Sequence, residues 1–544
     1  MKHFYKGLVL AALLVWTGCS DETVVYEDGL KTDLYVETNA AALKSAISYD
    51  KSGVLKVIPP GVGMPEGTMA MAGDYPLTLI ATVNPPSFPG EEPLTATHAD
   101  LDGDYVFVGY NKAGDVYQGA IDVIDISDPN IPQVRSRLFY SNADINSLAF
   151  SNGYIYAVGA INAETSDIAT GNSFIARIPV SFGVFDTEKI IYGFQQGFNA
   201  NDVLVDGSRA IVTSGKQGVV AAYNTSDLAI AEEMYVEDAR SLTTWLDGYA
   251  VLDAGSGVRL LNAALTETSL IPIGTDLGET SKKTLGIWEN KILVPEAAQG
   301  AGIYNGTSGT LLQYVAIPTI PSEVSPDQAV TNAVSVNDDL LFMANGGAGL
   351  ALAELLASTI TTAGTINLDG SVNYVISKDD YAFVASGSDG LQIIQLNRPP
   401  KTLLNACSDL SSYDGSSILN VGFGESLAFQ GGKQLDQIND EGFLILCGSW
   451  TVSQHVDIAP DAVLRLFGTL AIGTNADKGS LTVSAGSLLQ IEGNVTIYGD
   501  LILEDGAQVE FIGNSIIDIF GDVSAGREAT VSGTFRDVRN KFSN

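Results

Sequence analysis

Short apolar runs recur in pairs along the chain, each pair split by a turn rich in Gly and Asp. The clearest pair lies at Asp379–Pro399 (DDYAFVASGSDGLQIIQLNRP), where apolar stretches over Tyr381–Ser386 and Leu391–Leu396 flank Gly387–Gly390. The same plan appears at Asp104–Asn130, Ser208–Asn224, Gly248–Asn262, Asn290–Asn305 and Asp339–Glu354, with a longer version at Gly153–Ile178. That makes seven units. Glycines opening the second stretch fall at Gly218, Gly257, Gly302, Gly349 and Gly390, with gaps of 39, 45, 47 and 41 residues. Each pair has an upstream strand, such as Asn146–Phe150 or Asn332–Val336, and a downstream one, such as Gln133–Tyr140 or Leu311–Ile317. Four short strands per unit at this period predict a seven-bladed β-propeller over residues 75–400. The seventh unit lacks an outer strand, and Tyr75–Asn84 (YPLTLIATVN) is an apolar stretch without a blade. Placing it on the seventh blade closes the ring and removes two sheet edges. Residues 19–74 then read as a tether, with one short helix near Ala40–Ile47.

Beyond residue 400 the period shortens. Turn glycines at Gly486, Gly493, Gly499, Gly506, Gly513 and Gly521 are spaced 7, 6, 7, 7 and 8 residues apart. Between them apolar residues alternate, as at Leu489 and Ile491, Val495 and Ile497, and Leu501 and Leu503. Residues 401–544 therefore read as a β-solenoid of short rungs burying one another's apolar faces, with a small β-sandwich as the alternative. The basic stretch Phe535–Asn544 reads as a cap on the last rung.

Two segments, YAFVASGSDGLQIIQL and GAIDVIDISDPNIP, resemble the LVIVD repeat of bacterial β-propellers. The resemblance covers roughly residues 76–399 and is strongest in the first and last blades. It implies a repeat protein built to bind and not to catalyse.

The amino terminus places this body. Lys2 and Lys6 precede an apolar run, Leu8–Trp16, which is too short to span a membrane. Thr17 and Gly18 then precede Cys19, in the order of a secretory signal. Cys19 resembles the acylated cysteine of a bacterial lipoprotein, which implies cleavage before it and a palmitate-type anchor on its thiol. Ser20, Asp21 and Glu22 resemble the surface-export signal of lipoproteins in Bacteroidota. These resemblances imply a lipid-anchored protein of the outer membrane, exposed at the cell surface. The competing reading is a plain secretory signal with an incidental cysteine. Cys407 and Cys447 are the two remaining cysteines and form a disulfide candidate, or else two buried thiols.

Composition narrows the function. With 64 acidic and 28 basic residues the net charge is −36, which opposes nucleic-acid binding. Only three histidines are present, His3, His98 and His455, too few and too dispersed for a zinc site or a Ser-His-Asp arrangement. Asp100–Asp104 (DLDGD) resembles the opening of a calcium loop but lacks its later ligands, and it coincides with the turn expected between the first two strands of blade one. No cofactor is expected. Aligning the blades brings polar residues to the start of each innermost strand: Thr97 and His98, Asn146 and Ser147, Asn201 and Asp202, Arg240 and Ser241, Lys283 and Thr284, Thr331 and Asn332, and Asn373. These meet at one mouth of the central channel. They are candidate ligand-binding groups, or else they satisfy backbone groups at the strand ends. The expected function is a non-catalytic module binding a protein or glycan. The alternative is a polysaccharide lyase or glycosidase, which needs only two carboxylates.

Overall fold

The computed structural model describes residues 33–60, 71–114, 116–164, 166–278, 282–356, 359–403 and 409–542. Cys19 and Cys407 lie outside these residues. The chain is a seven-bladed β-propeller followed by a β-solenoid. Each blade is an antiparallel meander; blade one, for example, runs through Thr95–Asp102, Tyr105–Asn111, Gly119–Asp125 and Gln133–Tyr140. The middle strands read as continuous apolar runs because both of their faces are covered by neighbouring blades. Gly119–Asp125 is buried at every position but the last, whereas the outer Gln133–Tyr140 alternates exposed and buried residues. Clusters between blades supply the core. Phe107, Ile121 and Val123 of blade one pack with Leu148, Ile155 and Ala157 of blade two. Burying each large side chain of this kind contributes about 1.5–3 kcal/mol. Blades three and four share one long strand, Ile230–Trp245, which pairs first with Gly215–Asn224 and then with Gly248–Asp253.

The ring is closed by an N-terminal strand. Leu77–Val83 pairs antiparallel with Leu391–Leu396 as the outer strand of blade seven. The preceding stretch, expected as a tether, is instead built into the fold. Leu34–Glu37 pairs with the outer strand of blade one, and Val57–Ile58 with that of blade six. Ile47–Ser48 and Gly53–Leu55 both pair with Leu77–Val83 on blade seven. A short helix, Ala40–Ser45, joins the first two of these pieces, and the Asn39 side chain accepts from the amides of Ala41 and Ala42 at its start. These additions satisfy sheet edges that would otherwise stand open.

Residues 411–537 form parallel rungs. Val463 lies over Phe443, Leu488 over Val463, Gln508 over Leu488 and Thr530 over Gln508, a vertical repeat of about 20–25 residues. The seven-residue spacing of the turns is thus one side of a rung and not a whole rung. The alternating residues Leu489, Ile491, Val495, Ile497, Leu501 and Leu503 all point into one buried core. At one corner Gly431, Gly448, Gly468 and Gly493 stack in register, with φ between 100° and 144°. A Cβ on Gly448, Gly468 or Gly493 would collide with the carbonyl oxygen of the glycine one rung before it. Only glycine permits this close approach with positive φ. At the far end Phe535 stacks on Phe511, and Phe542 packs edge-on against Phe535.

The solenoid docks on the propeller through the N-terminal segment. Val54 N–H donates to the Gly473 carbonyl at 2.9 Å and Asn475 N–H to the Ser52 carbonyl at 2.7 Å. Gln434 bonds Leu55 and Val57, and Lys56 pairs with Asp436 at 2.6 Å. Arg539 lies over the rings of Phe520 and Tyr49.

Candidate functional site

The polar residues expected at the channel mouth do converge there, and most of them reach into the next blade. Each innermost strand begins at the same end of the disc. In six of the seven steps the side chain at that start donates to the carbonyl just before the corresponding residue of the following blade. Thr97 Oγ1 reaches Ile145 O at 2.9 Å, and Asn146 Nδ2 reaches Ala200 O at 2.9 Å. Asn201 Nδ2 reaches Ala239 O at 3.1 Å, and Lys283 Nζ reaches Thr331 O at 3.0 Å. Asn332 Nδ2 reaches Val372 O at 3.3 Å, and Asn373 Nδ2 returns to Ala96 O at 2.9 Å, completing the circuit. The remaining step is spanned by Ser241 Oγ, which donates to Lys283 O at 2.7 Å. Arg240 instead clamps Asp238, with Nε and Nη2 at 2.6 and 2.7 Å from its carboxylate oxygens.

Local backbone geometry explains the pattern. Strand register shifts between Ala96 and His98, Ile145 and Ser147, Ala239 and Leu242, and Ala329 and Ala333. Such bulges take a residue out of the ladder, and its buried polar groups then need another partner. An Asn or Thr from the neighbouring blade is long enough to supply it. The amides therefore form a girdle that locks blade to blade.

Inside the girdle one side chain crosses the axis. Lys282 Nζ, from blade five, lies 2.7 Å from Asp202 Oδ1 of blade three and 2.9 Å from Ser147 Oγ of blade two. It also donates to His98 Nδ1 of blade one at 3.0 Å, and stands 5.7 Å from the Tyr374 ring of blade seven. The His98 ring packs on Tyr374 with centroids 4.0 Å apart. Burial and the charge of Lys282 hold His98 well below its ordinary pKa, so its neutral ring accepts the ammonium's hydrogen. Burial also pushes Lys282 down, partly offset by Asp202. Ser147 donates to Asp202 at 2.8 Å, and the other Asp202 oxygen accepts from Leu242 N–H at 3.1 Å. Ser147 is fully buried. The group resembles nucleophile and base in composition, and its members hydrogen-bond one another across the axis. The sequence pattern pointed to Lys283 and missed Lys282, because blade alignment picks the girdle position and the axial residue lies one step before it.

An open cavity of about 630 Å³ adjoins the girdle at blades four to six. It is walled by the Gly274–Gly278 loop, the Ala297–Gln299 turn, Pro326, Asp327 and Val330, with Lys283 also in its lining. The buried Glu296 holds one wall, accepting from the hydroxyls of Thr275, Tyr304 and Tyr314. Burial, reinforced by Arg240, brings the pKa of Lys283 down to about 8.

Asp100 sits at the expected turn and is occupied by protein. Phe150 N–H donates to its Oδ2 at 2.6 Å, and burial raises its pKa to about 6. Among the described residues no group of three or more His, Cys, Asp or Glu side chains could hold a metal ion. Cys447 is buried and disulfide-bonded; its candidate partner Cys407 lies outside the described residues.

No family model matches the chain, and no curated protein matches it. Among solved structures it is similar to the RRP9 WD40 repeats at 11% identity, covering 63% of this chain and 100% of that one, with a TM-score of 0.44. Another is U3-55K, at 11% identity over 56% of this chain and 97% of that one, TM-score 0.43. The WD40 β-propeller domain of Doa1 matches at 10% identity over 56% and 93%, TM-score 0.41.

Proposed function

We propose that this protein is a non-catalytic binding or scaffolding module, lipid-anchored through Cys19 at the outer-membrane surface, whose propeller presents the channel-mouth loops to a protein or glycan. The observation that carries the binding reading is a division of labour at one end of the disc. The axial and girdle groups are engaged with one another, while the loops around them hold an open cavity and the exposed apolar side chains Val116, Ile168, Phe198 and Ile320. A disulfide at Cys447 suits an oxidising compartment, which supports export. Asp33 bonds the chain at the end of the outer strand of blade one, so the 13 residues between Cys19 and Asp33 would hold the body within about 50 Å of its anchor. Glycan-array and cross-linking pull-down experiments with a soluble form test the working face. Phe198→Ser with Ile168→Ser should abolish capture, whereas Phe182→Ser with Leu246→Ser, at the opposite end, should not. Equal capture by both pairs would sink this face. Palmitate incorporation that persists in Cys19→Ser would refute the anchor.

A second reading, glycan cleavage, is favoured by one observation: Asp276 and Asp327 line the same cavity. Polysaccharide cleavage by wild type that disappears in both Asp276→Asn and Asp327→Asn would establish it.

A further inference from the structure

We propose that the cavity among blades four, five and six binds a carboxylate group, with the ammonium of Lys283 as its counter-ion. This deepens the binding reading above and rests on it, since it names the chemistry that one part of the mouth recognises. The first observation is a missing partner. Four other cations drawn into the propeller interior have carboxylates: Lys282 has Asp202, Arg240 has Asp238, Arg137 has Asp122 and Arg259 has Asp253, while Arg177 spreads its charge over two carbonyls and the Tyr154 ring. Lys283 is 1% exposed and among the described residues its ammonium meets neutral oxygens, Thr331 O at 3.0 Å and Asn332 Oδ1 at 3.1 Å. A buried charge without a counter-ion is unfavourable, and an ammonium has three hydrogens to donate. Two are accounted for. An anion entering the cavity would take the third and compensate the charge.

The second observation is the shape of the site. Lys283 lines the cavity of about 630 Å³, large enough for a sugar acid or the end of a peptide. The third is backbone strain. Lys283 and Ala297 both line this cavity and both have left-handed backbones, φ 56° and 50°. Most other non-glycine residues of this kind sit in hairpin or loop turns, such as Asn152, Leu246, Asp338 and Asp379, whereas Lys283 stands at the start of an innermost strand. Strain of this kind is retained where the surroundings over-determine it, and it concentrates at ligand sites. The exposed rim acids Asp276 and Asp327 accept hydrogen bonds, so the far end of the ligand should carry hydroxyls or an ammonium. A polyanion is disfavoured by the net charge of −36.

The carboxylate could come from an acidic sugar or a peptide C terminus. The full soluble chain is therefore titrated with D-galacturonate, with triglycine and with triglycine amide, at constant ionic strength set by sodium chloride. Thermal unfolding is followed, because a ligand bound only by the folded state raises the midpoint with its concentration. A rise with galacturonate or triglycine, absent with the amide, supports the proposal, and the arm that responds names the source. Lys283→Gln keeps a donor without the charge and should weaken the apparent affinity roughly tenfold or more, the loss of one charge-assisted hydrogen bond. The wild-type response should also fade as pH rises through about 8, where the ammonium is lost. Lys283→Met controls for folding: without ligand it should still melt cooperatively near the wild-type midpoint, because removal of an uncompensated buried charge offsets the lost bond to the Thr331 carbonyl. No response beyond sodium chloride, an equal response to the amide, or an unchanged response in Lys283→Gln would each overturn the proposal. If partner capture by the Phe198 face survives such a result, only the carboxylate site fails; if capture is absent too, the binding reading fails with it.

Discussion

At the level of single residues, the axis depends on Lys282. Its ammonium joins Asp202, Ser147 and His98, three residues from three blades. Lys282→Met would leave the Asp202 carboxylate buried without a counter-charge, holding the Ser147 hydroxyl and the amides of Leu242 and Val203. Removing one member of a buried pair costs about 3–5 kcal/mol, so the denaturation midpoint of the propeller should fall sharply. Adding Asp202→Asn should restore much of it, since the orphaned charge is gone; a double variant as weak as the single would show that the pair is not coupled. A different residue governs pH. Burial raises Asp144 to about 7 although it accepts from the amides of Lys112 and Gln118. The folded state then holds a proton that the unfolded state releases near pH 4, so the contribution of Asp144 to stability is greatest below about pH 4 and declines as pH rises from about 4 to 7. Asp144→Asn should be more stable than wild type at pH 8 and equal to it near pH 4. Thermal midpoints of both proteins across that range check this, and parallel curves would refute it.

At the scale of elements, what the sequence revealed depended on length and on repetition. Middle strands such as Tyr381–Ala385 and Leu391–Leu396 are covered on both faces, so their apolar runs stand out against the turn glycines. Leu77–Val83, buried throughout, was legible for the same reason. The N-terminal additions were not: Ile47–Ser48, Gly53–Leu55 and Val57–Ile58 are two or three residues long, and no periodicity can emerge from so few. The girdle was visible as a ring of polar strand starts, but whether an amide faces a ligand or a neighbouring carbonyl depends on bulges that leave no sequence signature. In the solenoid, turn spacing showed the sides of the rung, while the glycine column became meaningful only once the register was known. That column can be tested. Gly468→Ala would place its methyl group inside the Gly448 carbonyl, and neither backbone can retreat without breaking the ladder. Gly424→Ala also has a positive φ but meets nothing within 4 Å. The second should cost about 1–2 kcal/mol, the left-handed penalty alone. The first should cost several times as much and abolish cooperative melting of the solenoid, whereas equal melting of the two would show that the corner is not closely packed.

For the whole molecule, the N-terminal segment is the part that both bodies share. It adds strands to blades one, six and seven, and its middle portion lies against the solenoid through Val54–Gly473 and Ser52–Asn475 backbone bonds. A side chain on Gly53 would meet the Thr474 backbone, so the glycine sets how closely solenoid and propeller approach. This arrangement couples their stabilities, because opening the contact frees the edge of blade seven and one face of the solenoid together. Gly53→Val should act as a wedge. Ring closure by Leu77–Val83 is left intact, so the propeller itself should still fold. The joint should open: calorimetry of the wild type should show one main transition, and the variant two, the earlier one belonging to the solenoid. Small-angle scattering should show a larger maximum dimension for the variant at unchanged mass. A single transition with unchanged dimensions would mean that other contacts, among them the Gly73–Gln434 backbone pair, Lys56–Asp436, Arg536–Asp128 and the Arg539 stack on Phe520 and Tyr49, hold the two bodies without the Val54–Gly473 joint.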